Sequence, residues 1–169
     1  MITMQKKICL LGDFAVGKTS LVRRFVEGRF DDKYLSTIGV KISRKAVIRP
    51  EYTLNMIIWD LAGGEDFSRV TSGYLMGVNG ALLVCDLTRP NTLMMISAYA
   101  KQIREHNADA PVIIVANKSD LEAERLIDEQ MLAETAVSLA APWILTSAKT
   151  GGGVIEAFDL LADKLEELS

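Results

Sequence analysis

The sequence has 169 residues, a length that fits one domain with a single hydrophobic core and is too short for two. Hydrophobic residues make up 49% of it and charged residues 24%, as in ordinary soluble globular proteins, so we expect one domain over residues 1–169. The formal net charge of −3 argues against a nucleic-acid-binding groove and against general attraction to an anionic membrane.

Neither a leader sequence nor a membrane span is recognisable. The apolar run near the N-terminus covers only Ile8–Leu11 before Gly12 interrupts it, which is too short for a signal peptide. No stretch approaches the roughly 18 apolar residues of a membrane-spanning helix. Cys9 and Cys85 lie in apolar runs, so we expect two reduced, buried thiols in preference to a disulfide or a metal site. These features predict a cytoplasmic protein.

Short apolar runs alternate with helical patterns along the whole chain. The strands are predicted at Lys6–Leu11, Val40–Ile48, Tyr52–Asp60, Ala81–Asp86, Val112–Ala116 and Trp143–Thr146. The helices are predicted at Lys18–Gly28, Asn91–His106, Asp128–Leu139 and Val154–Leu168, with caps or turn residues near their starts at Thr88, Asn91, Asp128 and Thr150. A turn around Arg49 and Pro50 makes a hairpin of the second and third strands, so one edge of the sheet is expected to be antiparallel.

This alternation predicts an α/β fold with three layers. We expect a mainly parallel sheet of about six strands, with one antiparallel edge strand, covered by about five helices. In such folds the ligand binds in loops at the carboxyl ends of the strands. The loops at the carboxyl ends of the strands are therefore the places to look for a site.

The loop after the first strand carries a phosphate-binding motif. Residues 12–19 read Gly-Asp-Phe-Ala-Val-Gly-Lys-Thr and fit G-x-x-x-x-G-K-[ST] between a strand and a helix, the context that this P-loop motif requires. Backbone N–H groups of such a loop surround phosphates at a helix N-terminus, where the helix dipole favours anions. Lys18 supplies a cation to the outer phosphates and Thr19 a hydroxyl to Mg²⁺. The alternative is an ordinary glycine-containing turn with an exposed lysine.

The loop after the fifth strand carries a purine-recognition motif. It reads Asn117-Lys118-Ser119-Asp120, which places a carboxylate at a strand end. Asp120 can accept hydrogen bonds from both N1–H and the exocyclic amine of guanine, whereas adenine presents an acceptor at N1. The segment Thr146–Lys149 follows the last strand and is expected to close the other side of the pocket. Asn and Asp are also common turn residues, but their position relative to the phosphate loop favours guanine.

With these motifs in order, the chain resembles the small GTPases of the Ras superfamily from Lys6 to about Leu165. The motifs are the phosphate loop, Thr37, Asp60–Gly63, Asn117–Asp120 and Ser147–Lys149. Residues 36–40 and the pair Trp59-Asp60 are most similar to the Rab branch, while the phosphate loop has some Rho-like features.

The resemblance implies roles for particular residues. Nucleotide contacts are implied for Asp13, Phe14, Ala15, Val16, Gly17, Lys18, Thr19, Ser20, Phe30, Tyr34, Thr37, Gly63, Asn117, Lys118, Asp120, Ser147, Ala148 and Lys149. Mg²⁺ would be held by Thr19, Thr37 and Asp60, and catalytic positions would be Lys18, Thr37, Gly63 and Gly64. Thr37 and Gly63 would be tied to the γ-phosphate of GTP and released in the GDP state, which is how the family switches.

Two residues depart from the family pattern where hydrolysis takes place. Gly64 occupies the position of the glutamine that orients the attacking water, so slow intrinsic hydrolysis is expected. The ring of Phe14 is expected either to crowd the approach of a partner's arginine or to fold over the nucleotide as a lid. Glu65 is a candidate to hold the water instead, and a partner protein is another source of the missing group.

The resemblance also implies partners: an exchange factor, a GTPase-activating protein and effectors, all acting through switch segments near residues 32–42 and 61–76. Ile42, Trp59 and Tyr74 form either an apolar effector-facing patch or ordinary strand packing. The sequence ends at residues 166–169 as Glu-Glu-Leu-Ser, with neither a prenylatable cysteine nor a basic tail, so no direct membrane anchor is expected in this chain. Either a lipidated tail is missing from this sequence, or the protein acts in the cytosol or through a bound partner. We expect it to be monomeric.

Three functions compete on this sequence. The first is a switch that cycles between GDP and GTP with weak hydrolysis, and the second is a GTP-binding scaffold without measurable hydrolysis. The third is a P-loop kinase, which would need an arginine-rich lid. The segment that follows Gly63 contains one arginine, Arg69, so a kinase is disfavoured.

Overall fold

A computed structural model describes residues 2–28, 40–61 and 73–168. The strands are β1 (Ile2–Gly12), β2 (Val40–Ile48), β3 (Tyr52–Leu61), β4 (Gly80–Asp86), β5 (Val112–Asn117) and β6 (Trp143–Leu145). The helices are α1 (Lys18–Glu27), α2 (Pro90–Met94), α3 (Ile96–His106), α4 (Glu129–Leu139) and α5 (Val154–Glu167), with a 3₁₀ turn at Glu122–Glu124. The described residues include no helix with the length and apolar character needed to cross a bilayer.

The six strands form one sheet in the order β2-β3-β1-β4-β5-β6. The pairs β1–β3, β1–β4, β4–β5 and β5–β6 are parallel, and β2 pairs antiparallel with β3. In the hairpin, Val40 is the partner of Leu61, at the end of the ladder farthest from the turn. The predicted fold class is therefore confirmed, including the antiparallel edge.

Helices cover both faces of the sheet, as expected for strands β4 and β5, which are buried along their whole length. On one face α1 and α5 enclose a core in which the rings of Phe25 and Phe158 stack with centroids 3.9 Å apart. On the other face α3 and α4 pack over Cys9, Cys85 and their neighbours. Both cysteines are free and fully buried, in agreement with the prediction.

The predicted single helix over Asn91–His106 is wrong in one respect: the structure divides it into α2 and α3 at Met95. Thr92 is completely buried, and its hydroxyl accepts from the Asp86 N–H at 2.9 Å and donates to the Arg89 carbonyl at 2.7 Å. These bonds attach the short α2 segment to the end of β4. Arg89, rather than Thr88 or Asn91, is the residue before this helix.

Other predicted boundaries differ by a few residues. Strand β1 begins at Ile2, and β6 ends at Leu145, although the Thr146 N–H still donates to the Ala116 carbonyl at 2.8 Å. Asp128 caps α4 as predicted, since its carboxylate accepts from the Met131 N–H at 2.9 Å. Thr150 does not cap α5. Instead Gly153 precedes that helix with φ of 73°, where a Cβ would collide with the Leu145 carbonyl oxygen.

Candidate functional site

The parallel topology brings the predicted loops to one edge of the sheet. The carboxyl ends of β1, β3, β4 and β5 lie side by side, since these strands are neighbours and the described pairs among them are parallel. The phosphate loop, Asp60, Asp86 and Asn117 therefore share that edge.

The phosphate loop is shaped by two glycines. A Cβ on Gly12 would lie 2.5 Å from the Val84 carbonyl oxygen, so the loop leaves β1 tightly against β4. Gly17 precedes α1 with φ of 104°, a left-handed conformation that favours glycine, and a Cβ there would collide with the Asn117 amide nitrogen. No side chain caps α1 and none of its first residues is acidic, which leaves the positive end of the helix dipole directed at the loop.

Lys18 lies inside the loop with only 5% of its surface exposed. Its ammonium donates to the carbonyl oxygens of Gly12 at 3.0 Å and Asp13 at 3.3 Å. Burial lowers the pKa of Lys18, and the nearby carboxylates of Asp60 and Asp13 oppose that fall. A desolvated ammonium at the N-terminus of a helix is suited to an anionic ligand.

Thr19 and Asp60 form the oxygen pair predicted for a metal. The Thr19 hydroxyl donates to Asp60 Oδ2 at 2.5 Å, and Asp60 is 1% exposed at the end of β3. Ser20 follows in the first turn of α1 and is half-buried. Among residues 2–28, 40–61 and 73–168, no group of three or more His, Cys, Asp or Glu side chains could hold a metal ion. The carboxylate of Asp60 and the hydroxyl of Thr19 are hard oxygen donors, the type of ligand that Mg²⁺ takes together with phosphates.

Asn117 connects the phosphate loop to the base loop. Its amide nitrogen donates to the Val16 carbonyl at 3.0 Å, and its oxygen accepts from the Thr146 hydroxyl at 3.0 Å and the Ala148 N–H at 3.3 Å. Asn117 is 2% exposed, so these bonds satisfy a buried amide. One side chain thus joins three of the predicted motifs.

Asp120 of the base loop contacts Ser147 in the loop that follows β6. The Ser147 hydroxyl donates to Asp120 Oδ1 at 2.7 Å, and the same hydroxyl oxygen accepts from the Thr150 N–H at 3.1 Å. The carboxylate is therefore oriented by the loop that follows β6. Lys149 is exposed in that loop.

Arg24 of α1 also holds the loop that follows β6, a role that sequence reasoning missed. Its guanidinium donates to the Ala148 carbonyl at 2.9 Å and to the Lys149 carbonyl at 2.5 Å. The contacts join positions 124 and 125 residues apart, and no local pattern indicates them.

Asp86 and Arg89 were also missed. Asp86 ends β4 and is 1% exposed, and its carboxylate contacts Lys118 at 2.8 Å and Arg89 at 3.1 Å. A signal did exist in the sequence, because Asp86 is a carboxylate at the end of the continuous apolar run Ala81–Cys85. Lys118 adopts φ of 70° and also donates to the Ala15 carbonyl at 2.9 Å.

Phe14 is 52% exposed, and its ring is not part of the core. Its N–H donates to Asp13 Oδ1 at 2.8 Å. Crowding of the site and a lid over the nucleotide both stay predictions for this ring. The predicted residues Phe30, Tyr34, Thr37, Gly63 and Gly64 lie outside the described residues.

The possible effector patch is partly visible. The rings of Trp59 and Tyr74 are 6.1 Å apart, and both pack against the core, while Ile42, the partner of Trp59 across the hairpin, is 48% exposed. Lys7 places its ammonium 3.7 Å from the centroid of the Trp59 ring. The cluster is therefore half core and half surface.

Comparison with known proteins identifies the family. The Ras family model matches residues 7–167. The chain belongs to the Ras family. Ras-related protein SEC4 of Saccharomyces cerevisiae is 37% identical over 162 residues, covering 95% of this chain and 75% of that protein. Ras-related protein Rab-13 of Canis lupus familiaris is 37% identical over 158 residues, covering 92% of this chain and 77% of that protein.

A third relative shows similar identity and coverage. Ras-related protein RabG2 of Dictyostelium discoideum is 35% identical over 160 residues, covering 94% of this chain and 81% of that protein. Within the superfamily the chain is a Rab-like GTPase, which confirms the resemblance seen in the motifs. As a family member it is a GTP-binding molecular switch with GTPase activity, and it shares the family's general use of Mg²⁺, regulators and effectors.

Proposed function

We propose that this Ras-family chain is a cytoplasmic, monomeric switch of one domain that binds GDP and GTP in the pocket around Asn117 and hydrolyses GTP slowly when alone. The contact between the Asn117 amide and the Val16 carbonyl, at 3.0 Å, carries the assignment of the pocket. It joins a phosphate-binding loop to a loop whose carboxylate, Asp120, suits guanine. Neither loop on its own would select a guanine nucleotide.

The proposed contacts follow the family motifs, and the contacts among the described residues support them. Phosphates would meet the backbone N–H groups of residues 13–20 and the ammonium of Lys18, and the base would lie between Asn117, Lys118, Asp120 and the loop Ser147–Lys149. Thr19 and Asp60 would hold Mg²⁺, with Thr37 as a further ligand in the GTP state. The ion would supply positive charge that offsets the phosphate charge.

Slow hydrolysis is proposed from Gly64. In this chemistry the protein contributes mostly by positioning and electrostatics, and a glycine has no side chain with which to orient water. Phe14 adds a second departure, since its exposed side chain stands in the phosphate loop. Gly64 and Phe14 are also compatible with the alternative function, a GTP-binding scaffold that does not hydrolyse GTP measurably.

Single-turnover hydrolysis of bound GTP tests the rate. We expect the unmodified protein to be slower than unaided Ras, whose rate is about 4 × 10⁻⁴ s⁻¹. Gly64→Gln should raise the rate by about tenfold or more, because it restores a water-orienting amide. Val137→Gln, which adds the same side chain at an exposed position on α4, should leave it unchanged. An unmodified rate equal to that of Ras would contradict slow hydrolysis, and no measurable hydrolysis even in Gly64→Gln would favour the scaffold.

Chromatography of nucleotide released from denatured protein tests the ligand. We expect guanine nucleotide at about one equivalent, and its phosphate number reports the resting state. Protein that is isolated empty and takes up ATP as readily as GTP in magnesium buffer would contradict the proposed pocket.

Partner binding is proposed at the two switch segments, near residues 32–42 and 61–76. The half-exposed cluster of Ile42, Trp59 and Tyr74 joins these segments on one face of the hairpin. Exchange factors, activators and effectors would meet the protein there. Binding of an effector to the GTP form and not to the GDP form is the corresponding test.

A further inference from the structure

Two cations share one buried carboxylate beside the phosphate loop. Asp86 Oδ2 lies 2.8 Å from the Lys118 ammonium and 3.1 Å from Arg89 Nε. Asp86 Oδ1 accepts from the N–H and the hydroxyl of Thr88, at 2.8 and 2.7 Å. Burial acts to raise the pKa of Asp86, but hydrogen bonds from Lys118 and Thr88 outweigh it and lower that pKa, so the carboxylate is ionised at neutral pH.

Each cation also reaches the phosphate loop, and the two reach consecutive carbonyl groups. Arg89 Nη2 donates to the Phe14 carbonyl at 2.6 Å, and Lys118 Nζ donates to the Ala15 carbonyl at 2.9 Å. Charge-assisted hydrogen bonds of this length are stronger than those between neutral groups. The loop is therefore held from outside at two successive peptide units.

The direction of these bonds matters because peptide groups are planar. In a trans peptide the C=O and the following N–H point in opposite directions, and residues 2–28, 40–61 and 73–168 contain no cis peptide bond. A Phe14 carbonyl drawn towards Asp86 turns the Ala15 N–H away from it, and an Ala15 carbonyl drawn the same way turns the Val16 N–H. Ala15 has φ of 62°, a conformation that costs free energy for a residue with a Cβ and needs such support.

We infer that Arg89 is a positioning residue for phosphate binding: by holding the Phe14 carbonyl against the anchor Asp86, it keeps the Ala15 N–H directed into the phosphate site. This inference rests on the proposed function of the loop. Lys118 acts in parallel on the next peptide, so the anchor also couples the phosphate loop to the base loop.

Two ligands separate this role from a merely structural one. GDP and GMP share the base, the ribose and the first phosphate, and only GDP has a second phosphate for the loop N–H groups. Affinities for both are measured in magnesium buffer by displacement of a fluorescent guanine nucleotide. Arg89→Ala should weaken GDP binding by about tenfold and GMP binding by less than twofold, because the misdirected Ala15 N–H no longer serves the outer phosphate.

Arg104→Ala is the matched control. Arg104 donates to the Leu139 carbonyl at 2.6 Å, an equivalent arginine–carbonyl contact between α3 and the end of α4. Its removal should lower the temperature of unfolding while leaving the ratio of GDP to GMP affinity unchanged. Circular dichroism establishes that each variant is folded.

An Arg89→Ala protein that keeps the original GDP affinity, or that loses GDP and GMP equally, would overturn the inference. Should the alanine variant not fold, the ratio of GDP to GMP affinity measured on Arg89→Lys tests the inference in its place. That variant retains a positive charge beside Asp86. Failure of the unmodified protein to bind GDP would count against the proposed function itself. An unmodified protein that prefers GDP and an Arg89→Ala variant with the same preference would overturn only the role of Arg89.

Discussion

The side-chain amide of Asn117 occupies the space in front of Gly17, so the base loop and the phosphate loop meet at a glycine. The amide donates to the neighbouring Val16 carbonyl at 3.0 Å, and any Cβ at position 17 would collide with its nitrogen. The two loops come from β1 and β5, which are separated in the sheet by β4. Because the two loops are in contact, a substitution in one loop should also weaken the binding of the part of the nucleotide that the other loop holds.

Gly17→Ala should therefore impair nucleotide binding. The variant combines a collision with Asn117 and a φ of 104° that alanine tolerates poorly, and we expect affinity for GDP to fall by about 10- to 100-fold. Gly77→Ala is the control, because Gly77 has φ of 76° but no atom within 4 Å of an added Cβ. It should cost stability of about 1 kcal/mol and leave affinity intact. Equal losses of affinity in both variants would contradict the role given to the Asn117 contact.

Asp120→Asn should change the preferred base from guanine to xanthine. Xanthine carries a carbonyl where guanine carries its exocyclic amine, so an amide at position 120 can donate to it. We expect the ratio of xanthine to guanine nucleotide affinity to rise by a factor on the order of 10⁴. Ser147→Ala, which removes the 2.7 Å bond that orients the carboxylate, should weaken both nucleotides without changing the preferred base. Equally poor binding of both bases by folded Asp120→Asn would refute this account.

Arg24→Gln should accelerate nucleotide release. Loss of the guanidinium frees the carbonyls of Ala148 and Lys149, and the loop that orients Asp120 is loosened. We expect GDP to dissociate about tenfold faster, since hydrogen bonds from a charged donor contribute about 1.5–3 kcal/mol. Arg49→Gln serves as the control, because Arg49 pairs with Asp163 at 2.9 Å at the opposite edge of the sheet. An unchanged dissociation rate in Arg24→Gln would show that the loop is held by its other bonds.

Cys9 and Cys85 should be chemically silent in the folded protein. Burial raises the pKa of each thiol to about 12, from 9.0 for the unperturbed group, so thiolate is scarce at pH 8. A disulfide reagent should find no reactive thiol in the native protein and two in urea.

The same pKa values fix the sign of a pH effect. The unfolded thiols lose protons near pH 9, while the folded thiols retain them. The contribution of the two thiols to the free energy of unfolding therefore declines as the pH rises from about 9 to 12. Urea unfolding across that range measures it. Rapid modification of either cysteine in native protein at pH 8 would contradict the burial described.

Much of this architecture could be predicted because local chemistry determines it. Continuous apolar runs such as Val112–Ala116 identify strands buried on both faces, and the hairpin around Arg49 identifies the antiparallel edge. Once the strands are parallel, their carboxyl ends share an edge, which brings Lys18, Asp60 and Asn117 to the same part of the fold.

The supporting side chains could not be predicted in the same way. Arg24 reaches Ala148 over a separation of 124 residues, and Arg89 reaches Phe14 over 75. Such contacts depend on the exact spacing of packed elements, which no local pattern of residues encodes. The division of the predicted helix at Met95 has a similar origin, because the anchoring of Thr92 to Asp86 is a tertiary contact.

The pairing of Val40 with Leu61 has a mechanical consequence. The stretch before Val40 and the stretch after Leu61 contain Thr37 and Gly63, and both enter the sheet at this single rung of the hairpin. The two stretches therefore leave the ladder one strand spacing apart, about 4.8 Å. We propose that both stretches respond together to loss of the γ-phosphate, so that a binding partner meets one combined change in place of two independent ones.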